Sequence, residues 1–239
     1  MKQLKQIVAL GFIGLVANMV IAAESNSKDK VTSAAKQLGE KSNYSWTTST
    51  KEADGSPGRL GPIEGKAEKG GMVGLSFAIG GLPVEVLMKG EKGAAKALEG
   101  WQTFDEVAQP GGTAAAVVRF LRSYKAPVAE SSSLLGNVKE LKEVDGAFSG
   151  DLKEEAVKEL LLFGTRRREG QEPPQTTDAK GSVKFWIKEG ALSKIEVNIQ
   201  GKVTAGDRNS EINRTSTVEI KDVGTTKLNV PDEAKQKLT

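Results

Sequence analysis

The chain contains neither histidine nor cysteine, which removes the commonest general base, the commonest metal ligand and the thiolate nucleophile. Carboxylates, arginines, lysines, hydroxyls and three tryptophans remain. Glu154, Glu155 and Glu159 crowd one predicted helix; acid–base work would need a pocket that shifts their pKa values, and on a helix surface they read as capping and solubility. "TRRRE", with Arg166, Arg167 and Arg168 in a row, could grip a phosphate or an anionic headgroup. Charge runs in polar loops are usually solvated, so it reads as surface. "KGGMVGLSFAIGG" has the glycines of a phosphate cradle, yet it lacks the lysine and hydroxyl pair of a P-loop and leads into a strand. It reads as tight turns. Trp46, Trp101 and Trp186 could line a ligand cavity, although packing in a core is the usual fate of such residues. With these players the expectation is a protein that is not an enzyme and has no cofactor and no metal site.

The elements that position these residues begin after an export signal. "MKQLKQIVALGFIGLVANMVIAAES" has two lysines, an apolar run from Ile7 to Ala23, and small residues at Ala22 and Ala23. That is the order of a secretory signal peptide. An uncleaved anchor is the alternative, but the run is short for a bilayer and is interrupted by Asn18 and two glycines. The expected division is a signal peptide over residues 1–23, cleaved near Ala23, and a single domain over 24–239. Without cysteine the exported chain has neither disulfides nor a site for a lipid anchor, so it is expected to be soluble in the periplasm or outside the cell. Of 34 basic and 31 acidic residues, Lys2 and Lys5 would leave with the signal. The near-balance that remains does not call for a nucleic acid.

Val31, Ala34, Ala35 and Leu38 form the stripe of a short opening helix. Strand patterns follow over 44–52, then through Val73, Leu75, Phe77 and Ile79, through Val84, Val86 and Met88, and around Trp101 and Phe104, joined by glycine turns. In "TAAAVVRFLRSY" the residues Val117, Phe120, Leu121 and Tyr124 recur at helical spacing, with Arg119 and Arg122 opposite. A helical turn around Leu134 leads to strand material through Val144 and Phe148. Asp151 and Glu154 suggest a capping box before a helix with the stripe Leu152, Ala156, Leu160 and Phe163. The polar stretch 164–181 reads as a loop, and two short strands and a tail close the chain. The class is α+β: a large, mostly antiparallel sheet with helices for one of its faces.

"SVKFWIKEGALSKIEVNIQG", residues 182–201, is the clearest hairpin. Val183, Phe185, Ile187, Ile195, Val197 and Ile199 share one parity, and lysines and other polar residues the opposite one. A three-residue turn with Gly190 at positive φ would set Val183 against Ile195, Phe185 against Ser193 and Ile187 against Ala191, and leave Trp186 and Leu192 as an apolar pair on the outer face.

The run of strands containing "GWQ", the helical middle, the strand ending "VDGAFSGDL", the hairpin "FWIKEGALSKIEV" and the closing "STVEIKDVGTTKLNVP" with Asp222 and Gly224 together resemble the LolA-like superfamily, over 28–231. That group includes the periplasmic lipoprotein carrier and the LppX/LprG envelope proteins. The resemblance implies a curved sheet forming an incomplete β-barrel, with helices covering its concave face. It also implies a hydrophobic ligand, lipid acyl chains or a lipidated protein, held between sheet and helices, together with transient membrane contact. The residues expected to line that space are Leu75, Phe77, Ile79, Val84, Val86, Phe185, Ile187, Val197 and Ile199 on the sheet and Val117, Phe120 and Leu121 on a helix. The alternative is a non-catalytic envelope interaction module with the same fold and a filled core.

Overall fold

The computed structural model describes residues 13–58, 61–97, 100–108, 113–162 and 172–239. The arginine run 166–168 and Phe163 lie outside them, as does most of the expected signal segment. Helix α1 (Ile13–Glu40) therefore starts earlier than the opening helix read from the stripe. Among the described residues no helix is long and apolar enough to cross a membrane.

Among the described residues eleven strands form one sheet, antiparallel at every pairing. Strands β1 (Asn43–Glu52), β2 (Ile63–Glu68), β3 (Met72–Ile79), β4 (Leu82–Lys89), β5 (Lys92–Ala97) and β6 (Gly100–Thr103) run outward as a meander. A second meander comprises β7 (Lys142–Val144), β8 (Ala147–Asp151), β9 (Gln175–Lys188), β10 (Ala191–Ala205) and β11 (Arg208–Lys221). The two are joined where β1 pairs with β11, so the sheet ends on β6 and β7 and stays open as an incomplete barrel. The β7 edge carries exposed Lys142 and Glu143, and edge charges oppose pairing with another chain.

Between the meanders lie α2 (Phe104–Val107), α3 (Thr113–Ser123) and α4 (Pro127–Asn137). Helix α5 (Glu154–Leu162) separates β8 from β9, and α6 (Asp232–Lys237) closes the chain. Thr103 and Glu106 cap α2 reciprocally, which ends the strand read around Trp101 and Phe104 at Thr103. Asp151 does not cap α5: it closes β8, where its carbonyl accepts the Lys139 N–H. The fully buried α5 residues are accordingly Val157 and Leu161, one position beyond the expected stripe. The expected short closing strands are one long strand, β11, and an irregular stretch leading to α6.

The hairpin register corrects the one read from the sequence. Glu189 and Gly190 both have positive φ, 52° and 76°, the geometry of a two-residue turn. Phe185 therefore pairs with Ile195 and Val183 with Val197, and a bulge at Ser193 lets Leu192 oppose Ile187. Leu192 is buried in the core rather than paired with Trp186. Trp186 instead holds the Lys194 ammonium 4.4 Å from its ring centre.

Candidate functional site

The register carries one apolar face across the whole sheet. Trp46 on β1 lies opposite Gly65 on β2, which lies opposite Leu75, then Val86, then Ala95. In the other direction Val218 leads to Ile195, Phe185 and Phe148. All nine sheet residues expected from the sequence lie on this face. Leu75, Phe77, Val86, Phe185 and Ile199 are buried, and Ile79, Val84, Ile187 and Val197 are partly buried against them. From α3, Leu121 is buried and Val117 and Phe120 are half-buried. Trp101 is on the opposite face, in a separate small cluster with Leu87, Ala94 and α6.

The two halves of this face are covered differently. Helices α1 and α5 pack their backbones directly on β9 and β10. On that half Leu161 leans over Gly201, and Arg214 of β11 reaches up to donate to the Leu160 carbonyl at 3.1 Å. A guanidinium there meets the carbonyls at the end of a helix, where positive charge is favoured. Helix α3, by contrast, reaches the sheet through long side chains. Phe120 meets Phe77 edge-on at 6.2 Å between ring centres, and Tyr124 meets Phe120 at 5.8 Å.

The central tie of this half is Trp46, fully buried on β1. A Cβ at Gly65 would stand 2.0 Å from its Cε2, so the indole lies on bare backbone that only glycine supplies. Its Nε1 donates to the Tyr124 hydroxyl at 2.9 Å, fixing the end of α3 over the middle of the sheet. Burial pushes the Tyr44 phenol up to about 12. Burial also raises Tyr124 well above its ordinary value, against the lowering effect of the Trp46 donor. Both are neutral hydroxyls at any working pH. Nearby, on the first turn of α4, burial raises the Glu130 carboxyl to about 7, with Lys125 acting the other way.

Beside this tie a cavity of about 490 Å³ opens between β3, β4, β5 and the end of α3. Val73, Met88, Phe104, Leu121, Tyr124 and Ala126 form its walls, and Glu91, Lys92 and Arg122 stand at its margin. Phe104 can fold in because it lies on Gly93, where a Cβ would be 2.1 Å from its ring. Of the twelve residues expected to line a ligand space, Leu121 is in this wall. Val73 and Met88 continue the alternations through Leu75 and Val86 and could have been added on parity alone. Glu130 carries no signal in the sequence.

No protein-family model and no curated protein matches the chain. Similar solved structures include LprF from Mycobacterium bovis, 9% identical with a TM-score of 0.46, the match covering 88% of this chain and 98% of that one. The lipoprotein LppX from Mycobacterium tuberculosis is also 9% identical, with a TM-score of 0.46 and coverage of 87% and 100%. A LolA superfamily protein from Nitrosomonas europaea is 10% identical, with a TM-score of 0.35 and coverage of 87% and 95%. The likeness is one of fold.

Proposed function

We infer that this chain is a non-catalytic binding protein of the cell envelope that holds lipid acyl chains, free or attached to a protein, between α3 and the β1–β5 half of its sheet. The observation that carries this reading is the unequal covering of one continuous apolar face. Where α1 and α5 lie directly on the strands, Phe185 and Ile195 have no exposed surface, and at the end of α3, between Leu121 and Tyr124 on one side and Val73 and Met88 on the other, an open-sided cavity of about 490 Å³ remains. That volume lies within the usual range for sites that enclose small molecules, roughly 300–1,000 Å³. Leu75, Phe77, Ile79, Val84, Val86, Val117, Phe120 and Leu121 would border a chain that extends the cavity along α3. Phe185, Ile187, Val197 and Ile199 continue the same face under the tighter cover. The binding would act by shape and apolarity. Removal of residues 1–23 after export would release the protein into the periplasm, and loading would require only transient contact with a membrane.

A second reading, an interaction module with a filled core, draws on the packed β9–β10 half, where Phe185 and Ile195 have no exposed surface. Native mass spectrometry of protein purified from a membrane-containing lysate separates the two. Co-purified lipid, or uptake of an acyl probe, is the expected result. A lipid-free protein that refuses the probe overturns the carrier reading.

A further inference from the structure

We propose that the mouth of the cavity selects single-chain amphiphiles with an anionic head, a carboxylate or a phosphate, and that Arg122 and Lys92 hold that head in a place for which Asp105 competes. The proposal rests on the acyl-binding reading and adds the polar end of the ligand to it.

The cavity has an apolar wall and a charged margin. Val73, Met88, Phe104 and Leu121 belong to the wall, and among the described residues the charged ones at the margin are Lys92, Arg122 and Glu91, two cations against one acid. Arg122 follows directly on Leu121 in α3, so the positive charge begins where the apolar wall ends. Lys92 opens β5, on the sheet side of the same space. An acyl chain lying against the wall would therefore bring its head to these two side chains.

Both cations have donors to spare. One terminal nitrogen of the half-exposed Arg122 guanidinium donates to Asp105 Oδ1, and a guanidinium carries five N–H donors in a flat fork that suits carboxylate and phosphate oxygens. The Lys92 ammonium donates to the Thr239 backbone oxygen, which engages one of its three donors. Asp105 lies in the first turn of α2, next to Phe104 of the cavity wall. Its side chain is 89% exposed, so its bond to Arg122 is a surface ion pair, in which water offsets most of the attraction. Helix α2 does not depend on it for a cap, because Thr103 and Glu106 cap each other. Asp105 is thus a replaceable carboxylate already seated against the cation at the mouth. A ligand head exchanges for it and brings an acyl chain into the cavity.

Calorimetric titration of the protein with laurate, dodecyl phosphate and monolauroylglycerol tests this. In the wild type the two anions should bind more tightly than the uncharged ligand, and the difference should shrink between about 50 mM and 500 mM salt. Arg122→Gln should weaken both anions roughly three- to tenfold, and Asp105→Asn should tighten them roughly two- to fivefold, with monolauroylglycerol unchanged in each. Lys92→Gln, on the other side of the opening, should weaken the anions likewise and keeps the test decisive if Arg122→Gln does not fold. The tighter of the two anions assigns the head to the carboxylates or to the phosphates. An ion pair that merely fastens α2 to α3 would move Arg122→Gln and Asp105→Asn in the same direction for every ligand. That outcome, or equal wild-type affinity for charged and uncharged ligands, overturns the selection while leaving acyl binding intact. Failure of all three ligands overturns the acyl-binding reading and the selection with it. Retained monolauroylglycerol binding reports that a variant is folded.

Discussion

Replacing Glu130 with glutamine should change the pH dependence of folding in a defined window. Burial raises this carboxyl from its ordinary 4.5 to about 7, so between those values the folded chain binds more protons than the unfolded chain. Stability therefore falls as pH rises from about 4.5 to 7, and the full loss persists above it. At 1.36 kcal/mol per pH unit the raised value corresponds to a ceiling of ~3 kcal/mol, reached only if the half-buried side chain gains nothing from water in the folded state. The chain has no histidine, so no other side chain ordinarily titrates in the middle of this window. Urea unfolding followed by far-ultraviolet circular dichroism at about pH 5, 6, 7 and 8 should show wild type losing stability relative to Glu130→Gln as pH rises, with the two converging near pH 5. Parallel profiles would refute the argument, because they would mean that the carboxyl is as well solvated when folded as when unfolded.

Four further substitutions test the packing. Tyr124→Phe removes the acceptor of the fully buried Trp46 Nε1 and should cost about 1–3 kcal/mol, read as a lower urea midpoint at unchanged slope. Gly65→Ala places a Cβ where the Trp46 ring already lies. It should cost about 1–3 kcal/mol and shift the tryptophan emission. Leu192→Ala should cost about 2–5 kcal/mol as a core truncation, whereas Lys194→Ala, on the outer face, should cost at most about 1 kcal/mol and leave acyl-probe binding unchanged.

The hairpin at 182–201 shows how far a pattern carries. Its parity was legible because side chains alternate with a period of two, so Val183, Phe185, Ile195, Val197 and Ile199 share a face whatever the turn. The position of Leu192 was not, because it depends on a two-residue turn with a non-glycine residue, Glu189, at positive φ and on a compensating bulge. Neither leaves a mark in hydrophobicity. Strand β11 was read short because its outer half, Arg208–Arg214, is almost wholly polar and extends beyond the covered core. The "TTKLNV" stretch imitates a strand, yet its backbone bonds go elsewhere: the Leu228 N–H donates to the Glu68 carboxylate, and its side chain covers Gly74. For the site, parity marks the apolar face but not which part of it stays uncovered: of the twelve expected residues Leu121 stands in the cavity wall. That depends on how the end of α3 meets the sheet, which no local pattern encodes.

The tie between Trp46 and Tyr124 explains why the space lies where it does. A helix lying flat on the β1–β5 half would need small residues on its inner face, as Ala156 and Val157 provide on α5 and Ala34 and Ala35 on α1. Helix α3 offers Phe120, Leu121 and, just past its end, Tyr124, and the indole–phenol hydrogen bond fixes how closely that end can approach the sheet. On the strands below, Trp46 and Phe104 already cover Gly65 and Gly93, and Val73 and Met88 form the wall of the space beside them. Burying apolar area is worth about 25 cal/mol per Å², so those walls are left with unmet contacts. An acyl chain, the proposed ligand, would supply those contacts without displacing any side chain. Filling the same gap by moving α3 inward would break the one hydrogen bond that satisfies the buried Trp46 Nε1.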